Sequence, residues 1–228
     1  MNFLELINRT REECGVSGPS LPTAQNLTGE AARIKNWVNA AWVDLQTAEE
    51  DWLFMRDTVQ FNTTAGKQFY TAEETGLDSF SNWKRDSFRA SSSDSDYRDE
   101  QLLNYMEWAT FRNLYQYSNM RHTQQRPVVV TIDPAKKLGF GAIPNNDYVI
   151  VGEYYKAPES MTLDTATPNI PDRFHMMIDY NAMTYYAGYE AAPEVLSRGQ
   201  MEYNRLFNRL LIDQMPTMTS GAALACAD

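Results

Sequence analysis

Histidine and cysteine are nearly missing from this 228-residue chain, which has two of each. No apolar run approaches the ~20 residues that span a bilayer, so no transmembrane helix is expected. Cys14 and Cys226 stand near opposite ends, and two cysteines build no disulfide framework. They are expected as reduced thiols, one of them buried in a helix. The opening stretch MNFLELINRTREECG carries acids and bases where a signal peptide has its apolar core, so the protein is expected to stay in the cytoplasm where it is made. The N-glycosylation patterns at Asn8, Asn26 and Asn62 then carry no meaning.

The shortage of histidine bears on chemistry, because histidine is the commonest general base and metal ligand. His122 sits in the polar stretch RHTQQR, and His175 follows Phe174 in an aromatic helix. Neither has a second ligand at helical spacing, so both read as surface or packing residues. Asp94 and Asp96 flank one serine, but the further oxygen ligands and the glycine of a calcium loop are absent. Gly139-Phe140-Gly141 lacks the third glycine of a dinucleotide loop and is followed by strand residues. No nucleophile elbow and no Gly-rich phosphate loop with lysine occurs. The expectation is a non-enzymatic protein with no metal and no cofactor.

Basic charge is also short. Thirty acidic residues face 20 basic ones, a net charge of −10, and no basic stripe suited to gripping phosphates is visible. Aromatic residues are plentiful, with five Trp and 13 Tyr, and 14 of the 20 basic residues are Arg. Part of this set belongs in a core, and part suits interfaces, where Tyr, Trp, Met and Arg are enriched.

Along the chain, Asn2 with Glu5 three residues later begins a helix over about Phe3–Cys14. A second helix, capped at Thr28, shows Ile34, Trp37, Val38, Ala41 and Leu45 at helical spacing and is expected to end near Glu50. From Trp52 to Pro158 the pattern changes to strands. Val59, Phe61, a turn at Thr64–Gly66 and Phe69 predict a β-hairpin. The serine-rich run RASSSDSDYR predicts a loop or hairpin tip, and MEWATFRNLYQYSN one short amphipathic helix. PVVVTID, KLGFGAI and DYVIVGEYYKAP predict a three-strand meander. Two closing helices follow: one opened by Pro171 and Asp172, the other by Pro193, with Leu196, Tyr203, Leu206 and Leu210 as the stripe of the last.

Each long helix has a single apolar stripe and needs partners. The reading is therefore α+β: an antiparallel bundle of about four helices, two N-terminal and two C-terminal, with an inserted antiparallel β domain that contains one short helix. Residues 1–51 and 170–215 would form the bundle, 52–169 the insertion, and 216–228 a C-terminal arm.

The order of segments FLELINRTREECGVSG, RIKNWVNAAWVDLQTAEEDWLFMR, NWKRDSFR, PVVVTIDPAKKLGFGAIPNNDYVIVGEYYKAPE and IPDRFHMMIDYNAMTYYAGYEAAPEVLSRGQMEYNRLFNRLLIDQMP resembles the head-to-tail adaptor (connector) proteins of tailed bacteriophages. The resemblance covers most of the chain and rests on structural residues. It implies a virion protein of the neck: a ring of identical subunits, twelve to match the portal, with the portal protein above and a tail or nozzle protein below. Packaged DNA would pass through the lumen without sequence-specific binding, eased by a net acidic wall. The C-terminal arm would reach into the portal, with Met215, Pro216, Met218 and Leu224 as its docking residues. SFRASSSDSDYRDE has no counterpart in the resemblance, and Ser92, Asp94, Asp96 and Tyr97 are its candidate contacts with a neighbouring subunit or the tail. A tail-completion or tube-terminator protein of the neck is the alternative, and a ligand-binding module on the meander a more distant one.

Overall fold

The computed structural model describes residues 1–92, 97–117 and 119–215, the side chain of Tyr97 excepted. Five α-helices occur among them: α1 (Phe3–Glu13), α2 (Gly29–Thr47), the single turn α3 (Trp108–Phe111), α4 (Met176–Glu190) and α5 (Pro193–Gln214). The fold is α+β, with helices at both ends of the chain and strands between them. The chain divides into two compact units, residues 1–55 with those from 158 onward, and residues 56–157.

The helical unit is built by stripes closing on one another. Phe3, Leu6 and Ile7 of α1 meet Ile34, Val38, Ala41, Trp42 and Leu45 of α2, with Met177, Ile178 and Ala182 of α4 and Leu206 and Leu210 of α5. Trp42 and Trp52 are fully buried, and the Trp52 indole N–H donates to the carbonyl of Leu45 at 3.0 Å. The capping box forms: Asn2 Oδ1 accepts from the Glu5 amide, and the Glu5 carboxylate accepts from the Asn2 amide, both at 2.9 Å. Thr28 stands at the N-cap of α2 but makes no side-chain cap bond, and α2 stops at Thr47, short of Glu50. Pro193 opens α5, where its missing N–H costs nothing.

Residues 158–169 belong to this helical unit although they contain no regular strand or helix. Asn39 and Gln46, seven apart and so on one face of α2, treat the segment as a strand partner. Asn39 exchanges two hydrogen bonds with the backbone of Met161, at 3.0 and 2.9 Å, and Gln46 two with Glu159, both at 2.9 Å. Asp164 accepts from the Thr23 hydroxyl at 2.6 Å and the Ala24 amide at 2.9 Å, which holds its carboxyl below the usual range.

The strands of the second unit are β1 (Arg56–Asn62), β2 (Phe69–Tyr70), β3 (Asn82–Trp83), β4 (Arg89–Ser91), β5 (Gln101–Leu102) and β6 (Asn104–Tyr105). They continue with β7 (Gln124–Gln125), β8 (Val129–Ile132), β9 (Leu138–Gly141), β10 (Ile143–Pro144) and β11 (Val149–Tyr155). One sheet has the order β1-β11-β4-β5, with β3 also on β11, and another has β2-β9-β8-β6. Most pairings are antiparallel, and the short pairs β6–β8 and β7–β10 are parallel.

Two expected pairings are corrected here. The segment 57–70 is not a hairpin: β1 pairs with β11 along its whole length and β2 with β9. The link between them is tied elsewhere, since the Thr63 amide donates to the Tyr148 carbonyl and the Gly66 amide to the Pro144 carbonyl, both at 2.8 Å. The meander is likewise only a hairpin, β8 with β9, because β11 lies in the other sheet. The short helix does form, as α3 continued by a π-helical turn over Arg112–Gln116 that carries Tyr115 into the core beside Phe111.

The Gly-Phe-Gly run has a packing role. A Cβ on Gly139 would stand 2.6 Å from the Phe69 ring, and one on Gly141 2.6 Å from the Tyr115 ring. Phe140 between them is fully buried. The glycines are floors for aromatic rings, which explains their spacing of two on one strand face.

Candidate interaction surfaces

The described residues on either side of the serine-rich run are paired and clamped together. Strand β4 pairs antiparallel with β5, Arg89 opposite Leu102 and Ala90 opposite Gln101. The Ser92 amide donates to both carboxylate oxygens of Asp99 at 3.2 Å, and its hydroxyl also donates there. Arg126 crosses the base: Nη1 donates to Asp99 Oδ2 at 2.9 Å, and Nη2 to the Ala90 carbonyl at 2.8 Å and to the Asp99 carbonyl. Its guanidinium stands 5.7 Å from the Tyr148 ring centroid. The Ser92 hydroxyl and amide, then Arg126, hold the Asp99 carboxyl below its ordinary range.

Of the four residues expected to make contacts here, Ser92 is exposed at the clamp and Tyr97 opens the 3-10 turn Tyr97–Asp99. Asp94 and Asp96 lie outside the described residues. Arg126→Met should leave the β core folded and free the hairpin base. Hydrogen exchange at the Ser92 amide is expected to speed up several-fold while that at Ile150 stays unchanged. Equal protection in the variant would show that the clamp holds nothing.

In the helical unit, Met215 is half-buried, packs on the helical core and donates its amide to the Leu211 carbonyl at 3.0 Å. Pro216, Met218 and Leu224 lie outside the described residues. Near the C-terminal end of α5, a groove of ≈ 380 Å³ is lined by Arg173, Phe174, Leu206, Arg209, Ile212 and Asp213. Ile212 is 86% exposed and lies off the stripe of Leu206 and Leu210. Arg173 pairs with Asp213 and stands 5.0 Å from the Phe174 ring centroid. Sequence reading missed this groove. Its signal was an isoleucine out of phase with the helix stripe.

The tyrosines sort by depth. Tyr70, Tyr115, Tyr148, Tyr154 and Tyr155 are buried, whereas Tyr117 and Tyr189 have 71% and 57% of their surface exposed. Charge is uneven too. Between residues 56 and 157, 12 Lys and Arg face 13 Asp and Glu; in the rest of the chain 8 face 17, so the helical unit carries −9 of the net −10.

His175 is fully buried, with Nε2 3.0 Å from the Ile170 carbonyl and Nδ1 2.6 Å from the Met1 amine, and burial lowers its pKa. His122 is exposed beside Arg121. Among the described residues no group of three or more His, Cys, Asp or Glu could hold a metal ion, and no helix is long and apolar enough to cross a membrane.

No protein with a curated description matches the chain. A family model does: that of the SU10 adaptor protein, matched over residues 1–225. With nearly every residue matched, the clamped hairpin and the helical hairpin included, the chain belongs to the SU10 adaptor protein family, structural adaptor proteins of bacteriophages.

Proposed function

We propose that the chain is the subunit of a ring, twelvefold to match the portal, that sits beneath the portal protein of a tailed phage and carries the tail or nozzle protein below. The observation that carries this reading is the family match over residues 1–225. The charge distribution supports a helical wall around the channel. A unit with net −9 repels phosphates, so DNA passes without being held. Residues 216–228, entered from Met215 and carrying Pro216, Met218 and Leu224, form the portal-docking arm. The hairpin with Ser92, Asp94, Asp96 and Tyr97 contacts a neighbouring subunit or the tail, and its Arg126 clamp sets the direction in which it projects.

Solution mass, measured on the chain alone and after mixing with portal rings of the same virus, tests this. The expected result is a small species alone that joins the portal at ring stoichiometry. A chain that ignores the portal overturns the reading in favour of a tail-completion protein.

A further inference from the structure

The helical hairpin α4–α5 is asymmetric from end to end. At its open end Arg173 pairs with Asp213, and at its closed end the Ala192 amide donates to the Ala187 carbonyl at 3.1 Å. Between them the helices approach closely at Gly199, where a Cβ would lie 2.9 Å from the Tyr180 carbonyl oxygen. The open end is the apolar groove floored by Phe174 and Leu206, with Ile212 on its lip. Asp213 is already held by Arg173, and Arg209 has no ion-pair partner among the described residues, so the rim keeps one unspent positive charge.

The closed end is its chemical complement. Tyr189 is 57% exposed and held from behind, by the Trp37 ring at 5.7 Å and the Arg33 guanidinium at 4.6 Å. Glu190 follows it at the end of α4 and Glu194 stands in the first turn of α5, both exposed and both without an ion pair among the described residues. Glu194 suits the first turn of α5, where the helix dipole favours an anion. Glu190 has no such excuse. It ends α4, where the dipole disfavours a negative charge, so stability of this chain does not account for it.

We propose that the closed end of one copy, Tyr189 with Glu190 and Glu194, docks in the open-end groove of a second copy, with the ring against Phe174, Leu206 and Ile212 and the carboxylates on Arg209. Within one chain the two ends cannot meet: 15 residues of α5 separate Glu194 from Arg209, about 22 Å at 1.5 Å per residue. Across copies they make a head-to-tail contact of two different surfaces, the kind that closes into a ring when the rotation between copies allows it. The inference deepens the ring reading above by naming the surfaces through which the copies meet.

The test replaces Ile212 with a photo-crosslinking residue in the full chain, mixes copies of two isotopic masses, and irradiates them alone at high concentration and on portal rings. Crosslinks are expected between copies, from position 212 to residues 189–194. Arg209→Glu should abolish them, and adding Glu190→Arg to that variant should restore them. Unchanged circular dichroism would show that these exposed substitutions leave the fold intact. Crosslinks to the same chain, to the portal or to another surface overturn the proposal, even where the chain joins the portal as a ring. Crosslinks from 212 to 189–194 in a chain that never joins the portal uphold it and sink the adaptor-ring reading instead.

Discussion

Gly152→Val is expected to destabilise the β unit by about 3 kcal/mol or more, at or beyond the top of the range for inserting carbon into a full core. Gly152 lies in the middle of β11, opposite Val59 of β1. A Cβ there would stand 2.4 Å from both Cδ1 and Cε1 of Phe88. That ring has no room to retreat, because it is fully buried and meets the Trp83 ring edge-on at 5.8 Å. Valine adds two methyls to the same clash. The control is Phe88→Ala, which by itself should cost about 3–5 kcal/mol through the cavity it leaves. In that background the Gly152→Val penalty should largely vanish, since valine then fills the space the ring left. Urea unfolding of the four proteins gives the coupling directly. Additive penalties would mean that Gly152 is required for some reason other than the ring above it.

Helices were legible because their stripes and caps are local: Asn2 with Glu5, the run Ile34 to Leu45 and Pro193 all act within a few residues of themselves. Strands were legible as strands, since Val59 and Phe61 alternate whatever their neighbour is. Their partners were not, because alternation states which face is covered and says nothing of which strand lies alongside. The partner of β1 is β11, with Arg56 opposite Tyr155, and a short polar turn at residues 64–66 was a weaker instruction than that long ladder. Residues 158–169, expected within the insertion, belong instead to the helical unit. Their hydrogen bonds go to the amide side chains of Asn39 and Gln46, a pairing with no signature in the segment itself.

The candidate surfaces divide along the same line. Composition marked the serine-rich hairpin, but not Arg126, which reaches its base from 27 residues beyond Asp99. The groove beside Ile212 needs α4 and α5 side by side before it exists, so only the out-of-phase isoleucine hinted at it.

The stability of the helical unit should fall as pH rises above the unfolded carboxylate range, and one residue should account for most of that fall. Asp179 of α4 is fully buried, and its Oδ1 accepts from the Thr10 hydroxyl of α1 at 2.8 Å. Its Oδ2 is buried with no partner among the described residues. Burial pushes its carboxyl well above the ordinary range; the Thr10 hydrogen bond, Arg9 and the N-terminal amine oppose this, and Glu13 reinforces it. The folded chain therefore keeps this proton after the unfolded chain has lost it. With more protons bound in the folded state, unfolding free energy falls with pH, starting near the unfolded value of about 3.9 and continuing up to the folded pKa. The slope approaches about 1.4 kcal/mol per pH unit.

Between pH 5 and 7 the other groups add little to that trend or can be cancelled. Asp57, Glu74, Asp99 and Asp164 have lowered values, so their contributions are lost only as pH falls below the unfolded carboxylate range. Cys14, pushed up to about 12 chiefly by burial, begins to matter only above the unfolded thiol value of about 8.5. His175, kept neutral by burial, gives a slope of the opposite sign up to about pH 6.5. Asp179→Asn keeps the Thr10 acceptor and carries no titrating proton, so subtracting its curve removes every shared term, that of His175 included. Urea unfolding of both proteins at pH 5, 6 and 7 should show the wild type losing stability relative to the variant as pH rises. Parallel curves would mean that Asp179 titrates as it does in water, and that the contact between α1 and α4 has room for its charge.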